Sequence, residues 1–351
     1  MSKHTTTKYI TSHIFLFIMI FSFIFTLSTP LISSAQITPK LENVIILDVT
    51  PSNPGPREQV TISAESFSID LNTATISWFI NGALKQQSIG VTSFQFTTGD
   101  LGSSTKVDVA ASINDTIPQT KQITIRPTDA DIVWQGNTYV HPLYRGKRIP
   151  SVGSTINVEV IPYFVDETKK QIATDALIYL WRIDGKTLPK ASGRGKNTII
   201  ISQIKPVKSI FVEVEISTPD KLLYRKERLS IPVRDSELLV YENNPLLGIL
   251  FNKTIKNLYG LTEQETKLIA YPFFMSITDR NSPYINYIWK LNNKPITLGE
   301  DRSSITVSNT NKEEGKATIK VSVQNSRDIF QRSSIDFIIE FGGNTSSGFN
   351  F

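Results

Sequence analysis

Trp78-Phe79-Ile80-Asn81-Gly82 recurs in this chain as Trp181-Arg182-Ile183-Asp184-Gly185 and as Trp289-Lys290-Leu291-Asn292-Asn293. The tryptophans stand 103 and 108 residues apart. Upstream of each runs an alternating stretch: Gln59 to Ser63, Thr155 to Val160 and Thr266 to Ala270. Downstream lies another, whose central valines Val109, Val212 and Val321 follow their tryptophans by 31, 31 and 32 residues. Each unit then closes on one more: Gln122 to Ile125, Leu229 to Val233 and Ile335 to Ile339. Four features in register, three times over, indicate tandem domains.

Alternation of apolar and polar residues with period two is the pattern of strands half-buried in a sheet. In the second unit Val214 and Ile216 face inward while Glu213 and Glu215 face water. Asn81-Gly82 and Asp184-Gly185 are strong hairpin signals, because both central residues of a type I′ turn need positive φ; Asn292-Asn293 is a weaker version. Short strands separated by turns, with a Trp entering a hairpin, predict a two-sheet sandwich in each unit. The fold class expected is all-β: three tandem immunoglobulin-like β-sandwich domains over 41–126, 129–233 and 236–341, after an N-terminal segment 1–35 and before a flexible tail 342–351. The junctions Arg126-Pro127-Thr128-Asp129 and Pro232-Val233-Arg234-Asp235 are short and contain Pro, which points to a semi-rigid rod rather than freely hinged domains.

The Trp-x-aliphatic-Asn/Asp-Gly hairpin, in a tandem array without cysteine, resembles bacterial immunoglobulin-like and PKD-like repeat domains. PKD domains usually carry an acidic, Gly-rich turn after the Trp strand. The plainer turn here favours the generic immunoglobulin-like kind. The resemblance spans about 41–341 and implies a spacer, adhesion or protein-interaction unit.

Residues 1–13 contain Lys3 and Lys8 and no acidic residue, Ile14 to Leu27 is an apolar run, and Ser33-Ser34-Ala35 offers small residues at a cleavage site. This is the secretory signal pattern; stretched from Ile10 to Ile32, the same segment would serve as an uncleaved membrane anchor. Either way the expected location is extracytoplasmic, with membrane contact only through that segment. The absence of cysteine excludes disulfides, thiolate metal sites and cysteine nucleophiles. Of three histidines only His141 lies outside the N-terminal segment. No GxSxG, HExxH, phosphate loop or EF-hand spacing occurs, so no catalytic, cofactor or metal residue is assigned and an enzyme is not expected.

The formal charge of +5 is concentrated in the middle. Residues 129–235 hold 17 basic and 12 acidic side chains, whereas 36–128 hold 6 and 8 and 236–351 hold 12 and 12. The clusters Arg145-Gly146-Lys147-Arg148 and Arg225-Lys226-Glu227-Arg228 read either as a surface for an anionic polysaccharide or lipid partner or as a solvated face. Nucleic acid fits neither an exported location nor dispersed charge.

Trp78, Trp181 and Trp289, at equivalent strand positions, are expected in the cores. Trp134 lies in a segment, Val133 to Tyr144, that resembles the opening of the third unit from Val240 to Gly248 in having an aromatic, then Asn, then Pro-Leu. On one reading Trp134, Tyr139 and Tyr144 form an aromatic platform near the first junction, beside Arg145, Lys147 and Arg148, for a sugar or a partner protein. On the other, the segment packs against the preceding domain and stiffens the array.

Overall fold

The three repeated hairpins turn where the sequence places Asn or Asp. Asn81 and Gly82 have φ of 49° and 81°, Asp184 and Gly185 47° and 77°, Asn292 and Asn293 46° and 64°. Gly, Asn and Asp tolerate two consecutive positive φ values best. The Asn/Asp side chain also ties the hairpin to a neighbouring strand. Its Oδ1 accepts the N–H of Lys106, Phe211 or Thr318 at 2.9–3.0 Å, while its own N–H donates to the carbonyl of that same residue. The indole N–H of each repeat tryptophan, which could not be left unpaired in a core, donates to a backbone carbonyl: Trp78 to Val91 at 2.9 Å, Trp181 to Lys196 at 2.8 Å and Trp289 to Arg302 at 3.3 Å. The three rings are 0, 0 and 1% exposed.

The structure, a computed structural model, describes residues 45–114, 117–310 and 314–342. The expected signal or anchor segment 1–35 and residues 343–351 of the expected tail lie outside the described residues. Within them the regular structure is β, apart from one 3-10 turn at Thr174–Ala176.

The first sandwich consists of β1 (Ile45–Thr50), β2 (Gln59–Ser66), β3 (Thr75–Ile80), β4 (Ala83–Ile89), β5 (Ser93–Thr97), β6 (Thr105–Ser112) and β7 (Gln119–Ile125). Its sheets have the orders β1-β2-β5 and β4-β3-β6-β7. In the second, β8 (Ala130–Gly136), β9 (Ile156–Pro162) and β13 (Thr198–Ile201) form one sheet in the order β13-β9-β8. The other is β11-β10-β14-β15, from β10 (Ile178–Ile183), β11 (Lys186–Thr187), β14 (Ser209–Ser217) and β15 (Tyr224–Pro232), with β12 (Gly193–Arg194) beside β10. This repeated strand order is that of an immunoglobulin-like sandwich.

The third sandwich adds two strands. Its first sheet is β17-β16-β19-β22, from β16 (Glu237–Asn244), β17 (Gly248–Ile255), β19 (Glu265–Phe273) and β22 (Ser304–Ser308). The second is β18-β24-β23-β20-β21, from β18 (Leu258–Leu261), β20 (Ile285–Leu291), β21 (Lys294–Pro295), β23 (Gly315–Asn325) and β24 (Asp328–Phe341), with β18 parallel to β24. The β16–β17 hairpin and β18 are not foreshadowed by the repeat.

Each sandwich has its own core, centred on Trp78, Trp181 and Trp289. In register Trp78 faces Val109 and Trp289 faces Val321, but Trp181 faces Val214. Val212, two residues earlier, faces Ile183. A slip of two keeps the same residues on the core face, so spacing alone could not resolve it. Trp134 lies inside β8, the first strand of its unit, opposite Val158.

Candidate functional site

A fourth buried cluster lies where the second and third sandwiches meet. The segment 137–150 between β8 and β9 leaves its own domain through a closed neck. There Gly136 N–H donates to Arg148 O at 2.9 Å, and the buried Thr138 hydroxyl donates to Ile149 O at 2.9 Å. Beyond the neck the backbone joins the third sandwich. Tyr139 N–H donates to Met275 O and Phe274 N–H to Tyr139 O, both at 2.8 Å.

The side chains of Tyr139, Val140, Tyr144 and Ile149 then cover Tyr241, Ile269, Tyr271, Phe273 and Phe274. Strand β19 is therefore buried on both faces: Leu268 and Ala270 turn into the third core, Ile269, Tyr271 and Phe273 into this cluster. Its sequence shows as much, since Leu268-Ile269-Ala270-Tyr271-Pro272-Phe273-Phe274-Met275 is unbroken by any charged or strongly polar residue, the run expected of a doubly covered strand.

His141 sits at the centre, 8% exposed. Its ring stacks on Phe251 with centroids 4.1 Å apart and planes 9° apart. Tyr144, Tyr241, Tyr271 and Phe273 meet it edge-on at 5.4–6.5 Å. Its Nδ1 accepts the N–H of Leu143 at 3.1 Å, a bond only an unprotonated Nδ1 can make. Burial holds its pKa below the ordinary histidine value. Burial also pushes the Tyr139 hydroxyl up to about 12, helped by nearby Tyr271 and Asp279 and opposed by Arg280. At the border Arg280 donates to the Tyr271 hydroxyl at 2.8 Å, and Tyr287 donates to Arg280 O at 2.9 Å.

A second contact lies beside the cluster. The buried Gln331 donates to Val152 O of the second sandwich at 3.2 Å and to Ser276 Oγ at 2.8 Å. Its Oε1 accepts from Ser276 N–H and Asn325 Nδ2 at 2.7 and 2.8 Å.

The six residues singled out from sequence are thus divided. Tyr139 and Tyr144 belong to this cluster, and the domain they pack against is the following one, not the preceding one. Trp134 is half-buried against the second core, with the Lys147 ammonium 4.3 Å above its ring. Arg145, Lys147 and Arg148 are exposed, and among the described residues Arg145 and Arg148 make no ion pair within 4 Å. The other basic cluster is engaged internally. Lys226 and Arg228 pair with Glu213 at 2.8 and 2.7 Å, and Arg182 bridges Glu213 and Glu215. The hydrogen bond from Lys226, then those from Arg228 and Arg182, outweigh desolvation and hold the Glu213 carboxyl at about 2. Arg225 pairs with Glu227 at 2.6 Å and donates to Asn53 O and Thr128 O at 3.0 and 3.2 Å, across the first junction.

Among the described residues no group of three or more His, Asp or Glu could hold a metal ion, and no helix is long and apolar enough to cross a membrane. No family model and no curated protein matches the chain. Solved structures similar to it include fibronectin(III)-like modules of Clostridium thermocellum CbhA (10% identity, TM-score 0.27, covering 54% of this chain and 94% of that one). The three N-terminal domains of the bacteriophage RB49 outer capsid protein Hoc match at 11% identity and TM-score 0.25, covering 85% and 99%. The central fibronectin-III array of RIM-binding protein matches at 9% and 0.24, covering 83% and 94%. The all-β, tandem immunoglobulin-like architecture rests on the strand orders and cores described above.

Proposed function

We propose that this chain is a non-catalytic interaction module of the bacterial immunoglobulin-like kind, a semi-rigid array of sandwiches held at the cell envelope by its exported or anchored N-terminus. The observation that carries this reading is the aromatic cluster around His141. It joins two sandwiches through a core of their own, where a flexible tether would need only a polar linker. Burial of each aromatic side chain contributes ~1.5–3 kcal/mol, enough in sum to suppress hinge motion. Pulsed EPR between spin labels on the second and third sandwiches should give a narrow distance distribution that broadens in Tyr139→Ala. A broad distribution in the unmodified chain would sink the semi-rigid reading. Cell fractionation tests the location, and recovery in the cytoplasm would refute export.

A second reading, adhesion to an anionic polysaccharide surface, is favoured by the exposed, unpaired Arg145 and Arg148. Its aromatic part reduces to Trp134, since Tyr139 and Tyr144 are covered and Lys147 lies over the indole. Salt-sensitive co-sedimentation with the producer's envelope, lost in R145A/R148A while the chain stays folded, would support it; binding unchanged in that variant would not.

A further inference from the structure

The outward faces of the three larger sheets differ in how their charges are arranged. In the first sandwich the register row Phe79, Asp108, Gln122 carries one charge, and Lys106 stands 3.8 Å from Asp108. In the second, Glu213 lies between Arg182 and Arg228 in register and Glu215 opposite Lys226, and each of the three cations is ion-paired to at least one of the two carboxylates. The third breaks the pattern. Lys290 of β20 stands directly opposite Lys320 of β23, a like-charge pair that destabilises a sheet. Asp336 is next to Lys320 in register, yet no ion pair within 4 Å joins them.

On the same face Asn286, Gln324 and Arg332 form a second row. No hydrogen bond or ion pair engages their side chains among the described residues. Phe330, two residues before Arg332, is 64% exposed. Repulsion retained on a face with free amide and guanidinium donors is what a missing anionic partner would relieve.

We propose that the outward β24-β23-β20 face of the third sandwich docks an acidic glycan chain, its carboxylate or sulfate groups set between Lys290 and Lys320 and against Arg332. This rests on the interaction-module reading and names its partner class. Lys320 and Gln324 are four residues apart, so the two cationic rows are separated by ~13 Å. A small anion cannot bridge that distance; an extended polyanion can. The two amide side chains beside Arg332 in the second row, and Ser322 and Ser334 between the rows, can hydrogen-bond ring hydroxyls. A peptide is disfavoured because these strands lie inside the sheet, between β18 and β21, and offer no free backbone edge.

Isothermal titration of the full chain with polygalacturonate, dextran sulfate and neutral dextran at low and high salt tests this. At least one acidic glycan should bind with salt-sensitive affinity and dextran should not; which acidic glycan binds distinguishes carboxylate from sulfate. K290A/K320A should weaken binding roughly ten-fold or more, the effect of losing one charge-assisted contact, whereas Lys85→Ala, on the exposed β4 of the first sandwich, should leave it unchanged. Lys320→Ala should also keep or raise the thermal midpoint, because it removes repulsion. No binding by either acidic glycan, equal binding of dextran, poly-L-glutamate binding as tightly as the glycans, or a lowered midpoint in Lys320→Ala would each overturn the proposal. The EPR distances across the second junction are independent of all these outcomes, so failure here leaves the semi-rigid reading standing.

Discussion

The two junctions of this chain are built from different materials. Between the first and second sandwiches, backbone carbonyls are held by polar side chains. Arg225 reaches Asn53 O and Thr128 O, and the Thr128 hydroxyl donates to Tyr224 O at 2.7 Å. Between the second and third, eight or more aromatic and aliphatic side chains exclude water around His141. A junction held by a few charge-assisted hydrogen bonds depends on geometry and can be lost at one residue. An aromatic junction scales with buried area and tolerates partial losses, but each loss is larger. Where a rod must transmit orientation the second kind is the stiffer, because a packed core has few alternative arrangements.

The most severe test of this difference is Phe273→Ala. Phe273 is 3% exposed and contacts His141, Tyr144 and Phe274, so truncation should cost ~3–5 kcal/mol. Denaturant unfolding should separate the third sandwich's transition from the second's. Hydrogen exchange should accelerate along 137–150 and not at the first junction. If protection of 137–150 is unchanged, the cluster is not what holds that segment.

Next in size is Arg225→Ala, expected to cost ~1.5–3 kcal/mol through lost hydrogen bonds from a charged group. Exchange should rise around Asn53, Gly55 and Thr128 while the aromatic junction keeps its protection. Arg225→Lys should not restore the native value, since an ammonium cannot match the guanidinium fork that serves two carbonyls and two carboxylates.

The two junctions also differ in how readily they are read from sequence. The sandwiches themselves are legible because Trp, the Asn/Asp turn and the alternating strands each answer a local requirement: an indole N–H needing a carbonyl, a turn needing positive φ, a sheet with one wet face. The aromatic junction depends on a non-local event, the covering of β19's second face by a segment more than 100 residues earlier. Nothing near Tyr139 says which neighbour it meets. The hint lay elsewhere, in the unbroken run Leu268 to Met275, and in a third unit long enough for the extra β16–β17 hairpin that supplies Phe251. The basic stretch 225–228 left two readings open for the same kind of reason, because its counter-charges Glu213 and Glu215 sit on the adjacent strand β14 in register.

Acid should separate the junctions without mutation. The His141 pKa is lowered on folding, so the unfolded chain binds the proton more readily. Stability from this group is then complete above the unfolded value of ~6.5 and falls as pH drops below it. Tyr144 from its own segment, Tyr241 from β16 and Tyr271 from β19 face it, and burial raises the Tyr241 and Tyr271 hydroxyls further above that range. The loss should appear as faster exchange along 137–150 below pH ~6.5, absent in His141→Gln and absent at Arg225. Glu213, at about 2, acts in a separate window. Its contribution to the second sandwich is complete above ~4.5 and is lost between there and about 2.

The smallest expected effect concerns Trp134, the aromatic residue of the segment Val133 to Tyr144 that stays out of the junction. Trp134 lies half-buried on the second sandwich under the Lys147 ammonium, an arrangement worth ~0.5–1 kcal/mol at a partly exposed site. Lys147→Ala should lower the second sandwich's stability by no more than that and leave exchange across both junctions unchanged. Because Trp78, Trp181 and Trp289 are buried, any gain in acrylamide quenching must come from Trp134, whose indole face the substitution uncovers. A gain in quenching without a change in junction protection would place Trp134 on the surface side of the comparison, free to take part in binding. A loss of protection along 137–150 would mean instead that Lys147 fixes the path of the segment. In that case the stiffness of the aromatic junction would begin inside the second sandwich, at the neck beside Gly136.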